Sequence, residues 1–281
     1  MDKGEEIMTI KLICTDMDGT LLADDHNVPE ENREALKKAV DKGIHVAITT
    51  GRLFTSAKYY AKMTGVDAPI ISSNGAYIRS GDSNDVIYEN PLSLEETLEI
   101  YDILKKYDFK FNFNTYNSVI SLKDEEDHSY KDMNKLVKAC DRVEFIVNED
   151  LTEVLKENEG NILKVIAIDK ENKYLKEMEK AKEEFKALGK YEVVSSWSNN
   201  FEVMKKGTSK GEAVKRLAEM LGVKREEVMC IGDSENDLSM IEYAGVSVAM
   251  GNGLDILKEK ATFVTDTNTN FGVAKAIEKF I

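Results

Sequence analysis

The chain has 281 residues, of which 42% are hydrophobic and 32% are charged, a composition typical of a soluble globular protein with one large domain or two smaller ones. The formal net charge of −14 argues against a nucleic-acid-binding surface, which needs a basic patch to meet the phosphates. No apolar run reaches about 18 residues, so we expect no transmembrane helix and no membrane partner.

The first eight residues, MDKGEEIM, lack the apolar core of a signal peptide, which predicts a cytoplasmic protein. No structural pattern precedes Met8, so Met1 and Met8 are both open as the natural start. The three cysteines form no CxxC pair, which favours buried thiols in a reducing compartment over metal or disulfide roles.

Short apolar runs alternate with helical patterns in the first part of the chain, which is typical of a parallel sheet covered by helices. Pro29 opens a predicted helix that Gly43 ends. A second helix is predicted near residues 55–63. Strands are predicted at Ile10–Cys14, Ile44–Thr49 and Pro69–Ser72.

From about residue 82 the alternation of short apolar runs with helical patterns gives way to half-buried strands and long charged helices. This change predicts an inserted α+β cap over residues 82–200. Phe109, Phe111 and Phe113 alternate with polar residues, which predicts a half-buried strand whose rings lie in the core of the cap. The clearest of the long charged helices runs from about Glu171 to Leu188.

One charged residue of the cap, Lys164, shares a face with the isoleucines of the predicted strand Ile162–Ile168. Two interpretations are open. Either the stem of Lys164 lies along the apolar face with its ammonium in water, or the ammonium faces the crevice beneath the cap. We favour the first.

The first pattern resumes after residue 200, so the predicted core is discontinuous and consists of residues 1–81 and 201–281. Ser209 caps a predicted helix that Gly222 ends. Further strands are predicted at Val228–Ile231, Val246–Ala249 and Thr262–Thr265. The fold class is therefore α/β: a three-layer, doubly wound, mostly parallel sheet with an inserted α+β cap.

Polar residues follow predicted strands or open a predicted helix at four places, and ligands bind beyond the carboxyl ends of strands in such sheets. The four segments are DMDGT at 16–20, TGR at 50–52, Lys210, and GDSEND at 232–237. Asp16 and Asp18 are two residues apart, so both carboxylates are expected to leave an extended strand on one side.

In this order the four segments resemble the signature motifs of the haloacid dehalogenase superfamily. SNGA at 73–76 and FEVMKKGTSKG at 201–211 resemble its Cof-type branch of cap-bearing sugar-phosphate phosphatases. One small departure is Gly253, where the branch commonly has alanine. The resemblance spans nearly the whole chain and implies a Rossmann-like core that hydrolyses a small phosphorylated metabolite.

Up to four carboxylates would meet only one lysine at this site, so a divalent cation is needed to balance the charge, and all-oxygen ligands suit Mg²⁺. The resemblance implies that Asp16 is the nucleophile that forms an aspartyl-phosphate and that Asp18 is the general acid and base. It implies as metal ligands Asp16, Asp233 and the main-chain carbonyl of Asp18. Asn236 and Asp237 would orient these ligands. The implied substrate-binding residues are Thr50, Gly51, Arg52, Asn74, Gly75 and Lys210.

Two alternative functions remain open: a phosphomutase, which would return the phosphoryl group to a sugar, and a non-catalytic regulator that binds a phosphorylated metabolite. A carboxylate at position 18 favours phosphate-ester chemistry over dehalogenation. Arg52 either binds the substrate or pairs with a carboxylate.

Overall fold

The computed structural model of the protein describes residues 9–81, 83, 85–123 and 128–281. The alternative start at Met8 and the predicted cap boundary at Asp82 lie outside these residues. Among the helices that the structure describes, none is both long enough and apolar enough to cross a bilayer.

The described strands form two sheets, and helices surround them. The strands are β1 (Leu12–Asp16), β2 (His45–Thr49), β3 (Ile70–Ser72), β4 (Tyr77–Arg79), β5 (Val86–Glu89), β6 (Lys110–Asn114), β7 (Ser118–Ser121), β8 (Glu144–Val147), β9 (Lys164–Ile168), β10 (Tyr191–Val194), β11 (Asn200–Lys205), β12 (Val228–Gly232), β13 (Val246–Ala249) and β14 (Phe263–Val264). The helices are α1 (Glu30–Asp41), α2 (Phe54–Ala61), α3 (Leu94–Leu104), α4 (His128–Leu136), α5 (Thr152–Glu157), α6 (Leu175–Leu188), α7 (Lys210–Met220), α8 (Leu238–Tyr243), α9 (Asp255–Lys260) and α10 (Gly272–Phe280).

The first sheet, which we call the core sheet, has the strand order β14-β13-β12-β1-β2-β3-β4-β5. The strands from β14 to β3 are parallel to one another, and β4 and β5 are antiparallel additions at one edge. The predicted mostly parallel sheet is confirmed. Because β1 lies between β2 and β12, the residues that follow these three strands meet at one edge of the sheet.

Alternate residues of β1 face opposite sides of the core sheet, as strand geometry requires. Ile13 lies in one buried apolar cluster with Leu36 of α1 and Ile277 of α10. Cys14 lies in another cluster with Val214 of α7. Helices therefore cover both faces, which confirms the predicted three-layer α/β/α arrangement.

The second sheet, which we call the cap sheet, has the order β10-β11-β9-β6-β7-β8. One of its faces carries Phe109, Phe111, Phe113 and Phe201, which are buried together with Phe185 of α6. The predicted position of the phenylalanines of β6 in the core of the cap is confirmed. The opposite face of the cap sheet turns toward the core sheet.

Sheet membership differs from the predicted cap limits of 82 and 200 at both ends. β5 is hydrogen-bonded to β4, so the chain remains in the core sheet as far as Glu89. β11 pairs with β9 and β10, so the cap sheet holds the chain as far as Lys205. β4 and β5 form an antiparallel pair, so the chain is in the core sheet on both sides of the segment that separates them.

Two backbones approach closely where the loop after β3 meets the start of α7. Gly75 has φ +98°, and a Cβ at this position would lie 2.3 Å from the carbonyl oxygen of Ser209. Both features require glycine. Ser209 caps α7, because its Oγ accepts the N–H of Glu212 at 3.1 Å. The contact therefore positions Lys210, the first residue of the helix.

We expect Gly75→Ala to destabilise the protein more than Gly207→Ala. Gly207 also has a positive φ, +80°, but an added Cβ would meet nothing within 4 Å. The control therefore reports the cost of the backbone conformation alone, about 1–2 kcal/mol, whereas Gly75→Ala adds a clash with the backbone. Urea unfolding of both variants measures the difference. Equal losses would contradict this account of the contact.

Candidate active site

The acidic loop after β1 is shaped by a glycine. Asp16 is the last residue of β1 and is 5% exposed. Gly19 has φ +77°, and a Cβ there would lie 2.6 Å from Oδ2 of Asp233. Only glycine therefore lets the loop come so close to the acidic residues that follow β12.

The ammonium of Lys210 lies between two carboxylates. Its Nζ donates to Oδ1 of Asp16 at 2.5 Å and to Oδ1 of Asp237 at 2.6 Å, and the side chain is 1% exposed. Burial alone would lower the pKa of Lys210, but the charges of Asp16 and Asp237 outweigh it and raise the pKa above its usual range. Lys210 therefore stays charged at neutral pH.

The loop after β12 contributes two further carboxylates. Oδ2 of Asp237 accepts the main-chain N–H groups of Asp233 and Ser234, at 2.9 and 3.0 Å. Asp233 accepts the hydroxyls of Thr20 and Ser234, at 2.7 and 2.8 Å. Asp237 is thus held by the loop and by Lys210.

Three carboxylates converge in this region. Ligand atoms of Asp16, Asp233 and Asp237 all lie within 4.8 Å of one another. Burial, followed by the charge of Asp237, raises the pKa of Asp16 well above its usual range and that of Asp233 to about 6. Oxygen ligands so close together, opposed by a single ammonium, form a suitable site for a hard divalent cation.

The loop after β2 holds Asp18 through Arg52. The Arg52 guanidinium donates from Nε and Nη2 to the two oxygens of Asp18, at 2.7 and 2.6 Å. It also lies over the ring of Tyr60, 4.3 Å from the centroid. Of the two interpretations of Arg52, the structure shows the pairing with a carboxylate. The carboxylates of Asp16 and Asp18 consequently have different basic partners.

Thr50 links the loops after β2 and β3. Its Oγ1 accepts the main-chain N–H of Arg52 at 3.1 Å, and its carbonyl accepts the N–H of Asn74 at 3.0 Å. A Cβ on Gly51 would lie 3.0 Å from Oδ1 of Asn74, so glycine allows the two loops to approach. The structure thus brings Thr50, Gly51 and Asn74 together.

Asn74 and Asn236 hydrogen-bond to each other rather than pointing apart. Nδ2 of Asn236 donates to Oδ1 of Asn74 at 3.0 Å, and both side chains are buried. Asn74 has φ +54°, a conformation that asparagine tolerates better than most residues. Gly75, which was predicted to bind substrate, packs behind this loop against Ser209. Like Thr50, Asn74 and Lys210, it is not among the residues that line the cavity described next.

A cavity of about 400 Å³ lies between the two sheets. The core sheet contributes Asp16, Asp18 and Arg52 to its lining, and the cap contributes both polar and apolar side chains. The lining residues of the cap include Asn112, Asn114, Lys164, Ile166, Ile168, Trp197 and Glu202. The volume suits a small molecule, and Asp16 of the acidic cluster belongs to the lining.

The cap residues of this cavity were missed at the sequence level, although a signal existed. Asn112 and Asn114 are the polar residues that alternate with the phenylalanines of β6, and their face turns toward the cavity. Oδ1 of Asn114 is buried and accepts no hydrogen bond within the described part of the chain. The favoured interpretation of Lys164 was wrong: the side chain is 4% exposed and its ammonium faces the cavity.

Comparisons with known proteins identify the family of the chain. A family model for haloacid dehalogenase-like hydrolases matches residues 13–277. The chain is 35% identical to the 5-amino-6-(5-phospho-D-ribitylamino)uracil phosphatase YcsE of Bacillus subtilis (strain 168), with 100% of both chains covered. It is 34% identical to YwtE of the same organism, named for the same activity, over 97% of this chain and 98% of that protein.

A solved structure has the same fold over nearly the whole chain. A haloacid dehalogenase-like hydrolase from B. subtilis superposes with a TM-score of 0.85 at 27% identity, over 97% of this chain and 100% of the other. The family match and the full-length relatives lead to one assignment. The chain belongs to the haloacid dehalogenase-like hydrolase family, and within it to the Cof-type phosphatases.

Proposed function

We propose that the protein is a Mg²⁺-dependent phosphatase that hydrolyses a small phosphate monoester through an aspartyl-phosphate on Asp16. The observation that carries this proposal is the position of Asp16, at the end of a central strand, bonded to Lys210 and open to the cavity shared with the cap. A nucleophile, a neighbouring cationic side chain and a cavity beneath a cap suit such a reaction.

The residues present fit a magnesium ion. Asp16 and Asp233 would hold it with the main-chain carbonyl of Asp18, while Asp237 is engaged by Lys210 and two main-chain N–H groups. When bound, Mg²⁺ supplies positive charge that stabilises the phosphoryl oxygens and relieves repulsion among the carboxylates. The cluster carries one ammonium against three carboxylates, so the charge balance favours this cation.

The chemistry proceeds in two displacements. In the first, a carboxylate oxygen of Asp16 attacks phosphorus, the bond from phosphorus to the ester oxygen breaks, and Asp18 gives that oxygen a proton. In the second, Asp18 takes a proton from water, the water oxygen attacks phosphorus, and Asp16 is released with inorganic phosphate. Arg52 donates to both oxygens of Asp18 in the structure, so this pairing has to open at one oxygen for Asp18 to carry and transfer the proton.

The phosphoryl group is held by Lys210 and by the Thr50 hydroxyl, with main-chain N–H groups near Asp18 and Gly51 as further donors. These donors belong to loops that already hydrogen-bond to one another, which keeps them in place before substrate binds. Such preorganisation is what allows electrostatic stabilisation to act at the moment of transfer.

The cavity limits the choice of leaving group. It mixes amide acceptors, such as Asn114, with apolar surface from Ile166, Ile168 and Trp197, which suits a metabolite that has hydroxyls as well as a ring. The activity named for the two B. subtilis relatives, dephosphorylation of 5-amino-6-(5-phospho-D-ribitylamino)uracil, is of this kind. We propose this compound as the first member of a test panel that also contains sugar phosphates.

We expect the wild-type protein to release phosphate from members of this panel with Mg²⁺, and Asp16→Asn to lose this activity to background, because the amide is not a nucleophile toward phosphorus. Asp41→Asn, the same change at an exposed position of α1, is the matched control and should keep full activity. Turnover by Asp16→Asn would rule out the nucleophile. An inert wild-type protein would rule out the proposed function.

Asp18→Asn should keep Mg²⁺ dependence but slow turnover by roughly 10² to 10⁴-fold, the usual contribution of a general acid and base. The reason is that only the main-chain carbonyl of residue 18 is proposed to contact the metal. Steady-state kinetics over a Mg²⁺ titration measure both effects. A large increase in the Mg²⁺ concentration needed for half-maximal rate would contradict the assignment.

The acidic cluster should make stability depend on pH. Burial raises the pKa of Asp233 from 3.8 to about 6, so its contribution favours the folded state below pH 3.8 and is lost as pH rises through about 6. In metal-free protein, the melting temperature of Asp233→Asn relative to wild type should therefore rise between about pH 4 and pH 7.

With Mg²⁺, the melting temperature of the wild type should rise over this pH range instead of falling, because a bound cation stabilises the ionised carboxylate. Asp233→Asn lacks this carboxylate and should not show the change. Thermal melts with EDTA and with Mg²⁺ across this range measure the effect. A difference between the two proteins that does not change with pH would show that Asp233 is not destabilised by its surroundings.

A further inference from the structure

Two charged side chains of the cap sheet lie buried against the core loops. Lys164 of β9 and Glu202 of β11 are 4% and 1% exposed, and Nζ lies 2.5 Å from Oε2. The neighbouring residues on their strands point the other way into the apolar core of the cap, as Val165 and Val203 do. The pair therefore occupies the face of the sheet that meets the catalytic loops.

Each member of the pair also binds one core loop. Nζ of Lys164 donates to the main-chain carbonyl of Gly51 at 2.6 Å. Oε2 of Glu202 accepts from Nδ2 of Asn74 at 2.8 Å. Asn74 in turn accepts from Asn236 at 3.0 Å, so the contacts continue into the loop that carries the acidic cluster.

The chemistry of this pair points to a role beyond stability. Two buried charges lose their hydration, and well-packed apolar side chains commonly stabilise a fold at least as well. Here each charge also makes a hydrogen bond that leaves the cap and ends on the loop that follows β2 or β3. Glu202 is further oriented by the Ser196 hydroxyl, which donates to Oε1 at 2.9 Å.

We propose that Lys164 and Glu202 are positioning residues through which the docked cap sets the geometry of the phosphate-binding loops. This inference rests on the proposed function of those loops. Lys164 orients the peptide at Gly51, and Glu202 orients Asn74. Since both belong to the cap sheet, these two contacts to the loops exist only while the cap lies against the core. Docking of the cap and formation of the phosphate site are thereby coupled.

The test compares Lys164→Met with wild type on p-nitrophenyl phosphate and on the best substrate of the panel. A misplaced loop should lower kcat by roughly 10²-fold, the usual cost of a displacement of about 1 Å. The loss should be the same for both substrates, because the phosphoryl group is common to them. Lys164→Arg, which keeps the charge and the donors, should recover part of kcat. A loss confined to the larger substrate, as expected of a residue that contacts only the leaving group, would overturn the proposal.

A double variant separates positioning from stability. Lys164→Met alone leaves the Glu202 carboxylate buried without its cation and should lower the melting temperature. Lys164→Met with Glu202→Gln removes both charges, so the melting temperature should recover while kcat remains low. Recovery of kcat together with the melting temperature would show that the pair is only structural and would overturn the proposal.

The chain offers a matched control. Lys182 of α6 reaches from the cap to Glu235 in the core, with Nζ 3.7 Å from Oε2, and does not contact the loops after β2 or β3. Lys182→Met should leave kcat within about twofold of wild type. A loss as large as that of Lys164→Met would show that any ion pair between cap and core has this effect, which would overturn the specific role.

A readout without turnover keeps this inference separate from the proposed function. Inorganic phosphate should raise the melting temperature of the wild type with Mg²⁺ and should do so less for Lys164→Met. This shift is measurable even if the panel shows no phosphate release. The absence of phosphate release would refute the proposed function alone. An equal shift in both proteins would refute the positioning role alone.

Discussion

The active site depends on the buried ammonium of Lys210, which lies between two carboxylates from different parts of the chain. Asp16 is 194 residues away from it in sequence and Asp237 is 27 residues away. An isolated buried charge would cost several kcal/mol, so the lysine and its acidic partners require one another. The carboxylates still outnumber the ammonium, and this remaining negative charge makes the site suitable for a cation.

The order of the parallel strands brings the lysine, its acidic partners and the neighbouring loops to one place. β1 lies between β2 and β12, so the loops that follow all three strands begin at one edge of the sheet. Small residues then let the loops touch: Gly19 allows contact with Asp233, and Gly51 allows contact with Asn74. The hydrogen bonds among these loops hold the donors and carboxylates in place before a substrate arrives, which is the condition for effective electrostatic catalysis.

Much of this arrangement could be predicted from the sequence. Apolar runs ending in DMDGT, TGR and GDSEND predict both the strands and the loops that follow them, because strand ends in parallel sheets collect functional groups. The hairpin of β4 and β5 was not predicted, since its strands are short and lie at the edge of the sheet. The partner of Lys164 could not be predicted either, because the carbonyl of Gly51 is 113 residues away and the contact exists only between two folded sheets.

Alternate residues of a strand in the cap sheet face opposite sides, so they contribute to different parts of the molecule. In β6 the residues Phe111 and Phe113 hold the cap together, while Asn112 and Asn114 face the cavity. A substitution at a cavity-facing position leaves the apolar layer behind it complete. Under the proposed function, the positions that would meet the substrate and the positions that hold the cap together thus alternate along one strand, so a lineage of such enzymes would be able to diversify its metabolites while the scaffold stays intact.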